Sequence, residues 1–141
     1  MKPSPSRSSL AQDLSKQTNP DLSWTQVWLQ RGVSKLQQGN FQGAQDNFKR
    51  VLQQMPNCVE ALNGLGVAQY GLTDLPGAVY SFRQGIQVGV SQSILHCNLG
   101  AVLYKMGDFS NAIAAFQKAA CLSPKEVIAY YGLGVSLIQH Q

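Results

Sequence analysis

Three residue types recur along this chain at a spacing of 34 residues, and that recurrence limits what it can fold into. Gly32, Gly66, Gly100 and Gly134 fall on one lattice. Ala44, Ala78 and Ala112 fall on a second, and Phe48, Phe82 and Phe116 on a third. A period of this length is that of a two-helix unit with its turns, stacked unit upon unit. Each lattice has a steric reason. A glycine inside a helix costs about 1 kcal/mol relative to alanine, so a register of them needs compensation from a closely approaching neighbour. The small alanine permits the same approach, and the phenylalanine fills the space between one hairpin and the next.

The stretch Lys105–Phe116, "KMGDFSNAIAAF", first looks like a glycine–acid turn that holds a ligand. Its counterparts around Gly39-Asn40 and Thr73-Asp74 make it a corner instead, where two antiparallel helices turn tightly. Helix starts are read at Ser23-Trp24-Thr25-Gln26, a capping box with Leu22 and Val27 as a hydrophobic staple, and at Asn57-Cys58-Val59-Glu60. A third is read at Ser123-Pro124-Lys125-Glu126, with the proline at the first helical position. The expected helices are Ser23–Gln38, Gln42–Gln54, Val59–Leu72, Pro76–Val88, Ser93–Met106, Ser110–Leu122 and Pro124 to about Gln139. Sustained strand alternation is absent from the sequence, so the expected fold class is all-α.

Composition narrows the function. The net charge of +4 arises from 11 basic residues scattered along the chain, and Lys49-Arg50 is their one adjacent pair. No basic stripe is predicted, which excludes a nucleic-acid-tracking surface. No apolar run approaches the ~18 residues of a membrane span. The start, Met1 to Pro20, lacks the apolar core of a secretory signal and reads as a disordered polar tail over residues 1–22. Cys58, Cys97 and Cys121 form no C-x-x-C pair, so neither a disulfide framework nor a zinc site is expected, and a cytoplasmic location fits best.

These lattices resemble the tetratricopeptide repeat, whose signature runs W-x2-L-G-x2-Y, A-x3-F, P. About three and a half repeats are read over 25–58, 59–92, 93–126 and the first helix of a fourth at 127–141. The third matches through Leu99-Gly100, Ala112, Phe116 and Pro124. The first keeps Trp28, Gly32, Ala44, Phe48 and Pro56 but carries Arg31 and Lys35 at apolar positions, as an end repeat facing water would. The second has Gln69 for the tyrosine and Val90 for the proline, which implies a looser exit. The resemblance implies an α-solenoid of antiparallel helix hairpins, about seven helices in a right-handed superhelix. It further implies that first helices line a concave groove. That groove would be built from Asn63, Val67 and Tyr70, from Cys97, Asn98, Ala101, Tyr104 and Lys105, and from Tyr131 and Val135. Asn98 resembles the asparagine that lines the groove of O-linked N-acetylglucosamine transferases. Leu29, Val33, Ile94 and Asn98 stand where relatives that clamp chaperone C-terminal carboxylates carry cations and amides, so that clamp is not expected.

Catalysis finds little support. The seven acids lie in the tail, at caps and at corners. His96 and Cys97 are helix neighbours that point apart. The Gly64–Gly66 and Gly132–Gly134 stretches lie within helices and lack the lysine of a phosphate loop. No catalytic residue, cofactor or metal is expected. The expected function is a scaffold that binds another protein, as an extended peptide or an amphipathic helix, in its groove. Two alternatives stand beside it: a regulatory or substrate-recruiting segment of a larger enzyme such as a glycosyltransferase, and a module that self-associates through its C-terminal helix.

Overall fold

The computed structural model describes residues 20–89 and 92–141, among which there are seven helices and no strand. These are α1 (Pro20–Gln37), α2 (Phe41–Gln54), α3 (Val59–Gly71), α4 (Leu75–Gln87), α5 (Ser93–Lys105), α6 (Phe109–Leu122) and α7 (Val127–His140). The expected tail falls mostly on residues 1–19 and the expected loose exit on Val90, both outside the described residues.

Three corners are built alike. The backbone N–H groups of Asn40, Asp74 and Asp108 donate to the carbonyls of Lys35, Gln69 and Leu103 at 2.8, 2.9 and 2.9 Å, the long bond of a Schellman helix end. The same three residues then cap the next helix. Their side-chain oxygens accept from the N–H of Gly43, Gly77 and Asn111 at 2.9, 3.1 and 3.3 Å. One residue thus ends one helix and starts another, which is why the hairpins are tight. The residue before it needs a left-handed backbone. Gly39 and Gly107 adopt φ 73 and 80, whereas Thr73 is held at φ 62 despite its branched side chain.

The three expected caps are corrected. Helix α1 starts at Pro20, so Ser23 lies inside it, and a proline in the first turn suits that earlier start. Cys58, not Asn57, occupies the cap of α3, without a side-chain bond. Ser123 closes α6, and Glu126 N–H donates back to its carbonyl at 3.0 Å, so Pro124 sits in a turn and α7 starts at Val127.

Successive helices pack antiparallel, and α1, α3, α5 and α7 also touch one another in series, so the odd helices form one continuous side. The phenylalanines hold the stack. A Cβ placed on Gly32, Gly66 or Gly100 would lie 2.7, 2.5 or 2.8 Å from the ring of Phe48, Phe82 or Phe116. A Cβ on Gly64 would strike Phe48 from the other side, and one on Gly132 would strike Phe116. The rings of Phe48 and Phe116 are therefore clamped between their own hairpin and the next, and burying each contributes roughly 1.5–3 kcal/mol. Phe82 has Asn98 where the other rings meet a second glycine, and the packing of α4 on α5 is the least extensive between successive helices.

Gly134 continues the lattice in sequence only, for nothing lies within 4 Å of a Cβ built there. Gly66→Ala is therefore expected to destabilise the chain by about 1–3 kcal/mol, while Gly134→Ala stabilises it by up to ~1 kcal/mol, as measured by urea unfolding. Thr73→Gly relieves the left-handed threonine, and the same titration is expected to show a gain of about 1 kcal/mol. Equal effects of the two glycine changes would refute the clamp.

Candidate functional site

The side formed by the odd helices carries a run of shallow hollows. One, of about 170 Å³, is lined by Val67, Tyr70, Phe82, Asn98, Ala101 and Val102. It adjoins a second of about 250 Å³, which shares Tyr70 and Ala101 and adds Tyr104, Phe116, Ile128, Tyr131, Gly132 and Val135. Residues of α3, α5 and α7 thus meet on one surface, because positions 34 apart on first helices share an orientation. The first hollow lies beside the Phe82 ring, where an asparagine stands in place of the second glycine while the ring itself is buried among residues of α5.

Polar groups mark this surface. Asn98 Nδ2 donates to Asn63 Oδ1 at 2.8 Å, joining α5 to α3. An amide pair of this kind keeps one donor group and one acceptor oxygen for further partners. Lys105 Nζ lies 4.9 Å from the centre of the Tyr70 ring, a cation–π contact. Tyr104 meets Phe109 edge-on, with ring centres 5.4 Å apart. Tyr131 is 73% exposed. Neither hollow has a charged lining residue.

Of the expected groove residues, Val67, Tyr70, Asn98, Ala101, Tyr104, Tyr131 and Val135 line the two hollows, and Asn63 and Lys105 are tied to that surface by the contacts above. Cys97 is a correction. It is buried against Ala119 and Ala129, so its thiol points between helices. Burial, with Glu126 adding to it, pushes that thiol above its ordinary range. Its neighbour His96 is held below the usual imidazole value by burial, then by the Lys118 charge, which favours the neutral ring.

A larger hollow, about 600 Å³, lies further along the same side, between Leu29 and Val33 of α1 and Glu60 of α3. Leu29 and Val33 stand at groove positions of the first repeat. Gln26, Gln30 and Ser34 beside them are additions that the repeat signature does not mark. Their four-residue spacing is the signal that places them on one helix face. Among the described residues no three of His, Cys, Asp and Glu gather as metal ligands, and no helix is long and apolar enough to cross a membrane.

Comparison with known families agrees with this geometry. Tetratricopeptide repeat models match residues 29–87 and 93–126. The chain belongs to the tetratricopeptide repeat family. In sequence it is similar to the protein CTR9 homolog of Arabidopsis thaliana, 26% identical over 125 residues, covering 88% of the chain and 12% of that protein. It is likewise similar to the RNA polymerase-associated protein CTR9 of Caenorhabditis elegans, 32% identical over 96 residues, covering 67% of the chain and 8% of that protein. The chain thus spans about a tenth of the relatives' length. In structure it is similar to the Thermobaculum terrenum O-GlcNAc transferase, with TM-score 0.80 and 26% identity over 86% of the chain and 23% of that one. The second repeat domain of human RPAP3, solved with an HSP70 peptide, gives TM-score 0.79 at 16% identity, covering 83% of the chain and 98% of that domain. As a member of this family, the chain is a protein-interaction scaffold of the all-α solenoid type.

The three thiols test the packing directly. Cys121 is exposed, Cys58 half-buried and Cys97 buried. Under limiting iodoacetamide in mildly alkaline buffer, peptide mass spectrometry is expected to show Cys121 modified first and Cys97 last. Rapid labelling of Cys97 would contradict its placement between the helices.

Proposed function

We propose that the two adjoining hollows over α3, α5 and α7 hold a segment of a partner protein, either an extended peptide or the apolar face of a helix. The observation that carries this reading is that Tyr70 and Ala101 line both hollows, so the surface runs unbroken from Val67 to Tyr131. Tyrosines with an apolar body and a polar tip give contact area at small entropic cost, and the Asn63–Asn98 pair offers a donor and an acceptor to peptide backbone. The hollows lack charged lining, so the segment they suit is apolar and weakly charged. The HSP70 peptide named for the RPAP3 domain is a different case, since Leu29, Val33 and Ile94 supply no cation for a terminal carboxylate.

A second reading, a recruiting segment of a larger enzyme such as a glycosyltransferase, is supported by the likeness to the O-GlcNAc transferase, of which the chain covers 23%. Both readings use the same surface. A catalytic domain encoded in the same reading frame would favour the second.

The test is affinity capture from lysate with mass-spectrometric identification. The intact chain is compared with Tyr70→Ala/Tyr104→Ala and with Ala101→Arg, which fills the surface from an exposed position. Both variants are expected to keep nearly the helical circular dichroism of the parent and to lose the captured partner. Retention of that partner by Ala101→Arg would remove the groove reading.

A further inference from the structure

Each lattice glycine of the first helices is followed by valine except in α5. Gly32-Val33, Gly66-Val67 and Gly134-Val135 repeat one pair, whereas α5 has Gly100-Ala101. Ala101 is exposed and lines both hollows, while Val67 lines the first and Val135 the second. The two methyl groups that a valine would add at position 101 therefore belong at the junction, and their absence leaves one continuous floor. Tyr70, Phe82, Tyr104, Phe116 and Tyr131 line that floor, and rings of this kind pack best on a further ring, stacked or edge-on.

Backbone chemistry and charge define the occupant further. The Asn63–Asn98 pair keeps a donor and an acceptor; a helix uses its backbone groups internally, whereas an extended chain has them free to answer. Lys105 is an exposed cation beside this uncharged floor, its Nζ 4.9 Å from the centre of the Tyr70 ring. Among the described residues no carboxylate pairs with it. The corner acids Asp74 and Asp108 are turned onto the N–H groups of Gly77 and Asn111 instead. Lys105 stands one turn beyond Ala101, about 6 Å along the helix axis, a distance that an extended chain covers in about two residues. Resting on the groove reading above, we propose that the occupant is an extended partner segment with one aromatic side chain seated over Ala101. An aspartate or glutamate about two residues from that ring meets Lys105. Ala101 then sets the size of the side chain that is accepted, and Lys105 reads the acid beside it.

The probe is a library of random short peptides displayed on phage and selected on the intact chain. Enriched sequences are expected to share an aromatic residue with an acid about two positions from it. The consensus is then made as a labelled peptide, and fluorescence anisotropy gives its affinity, which is expected to fall as salt rises. Ala101→Val restores the residue of the other first helices. It is expected to weaken the aromatic peptide about tenfold and to enrich smaller aliphatic residues in its own selection. Lys105→Gln is expected to enrich aromatic peptides without the acid. Both variants are expected to match the parent in circular dichroism. The proposal is overturned if the consensus lacks either residue, if Ala101→Val binds the aromatic peptide as the parent does, or if Lys105→Gln still selects the acid. Peptides that lack the aromatic–acid pair but are lost by Ala101→Arg sink this proposal and leave the groove reading standing. Peptides that survive Ala101→Arg, or no enrichment at all, remove both.

Discussion

A phenylalanine ring held between two glycines is the contact on which the rest of this molecule depends. The rings of Phe48 and Phe116 are met on one side by the glycine of their own hairpin and on the other by a glycine of the next. Helix glycine is unfavourable by itself, and the clamp turns that cost into close approach of three helices around one large side chain. The candidate surface depends on the resulting alignment. First helices that are locked in register present equivalent positions side by side, which is why Tyr70, Ala101, Tyr104 and Tyr131 meet at all.

The periodic part of this arrangement was legible in the sequence because it is written three or four times. Gly32, Gly66 and Gly100, with their phenylalanines, announce the clamp, and Gly39 and Gly107 announce the corners. Helix caps were harder. Ser23, Asn57 and Ser123 have the right chemistry for capping, but Ser23 lies inside α1, a cysteine holds the cap of α3 and Ser123 closes α6. The real caps, Asn40, Asp74 and Asp108, were already visible as corner residues, and their double role emerges only with the backbone bonds in view.

Side-chain fate was the least legible. Cys97 and Tyr131 hold the same position in successive first helices, yet one is sealed and the other open. The difference lies in the neighbouring helices: Ala119 of α6 and Ala129 of α7 close over Cys97, whereas Tyr131 stays exposed on the lining of a hollow. The pairing of Asn63 with Asn98 was equally hidden. Both were placed on the groove by position, but a hydrogen bond across 35 residues has no local signature.

The substitution of asparagine for glycine at Asn98 has a mechanical consequence. In a stack of units joined in series, bending concentrates at the joint with the least packing, and here that joint is between α4 and α5. The Asn63–Asn98 bond crosses from the second repeat to the third on the odd-helix side, acting as a directional tie where asparagine replaces the second glycine of the clamp. The least extensive packing between successive helices thus lies at the hollow lined by Asn98 and Phe82. A segment seated there would feel the pitch of the solenoid itself, so its grip would depend on how far the two halves of the stack are bent toward each other.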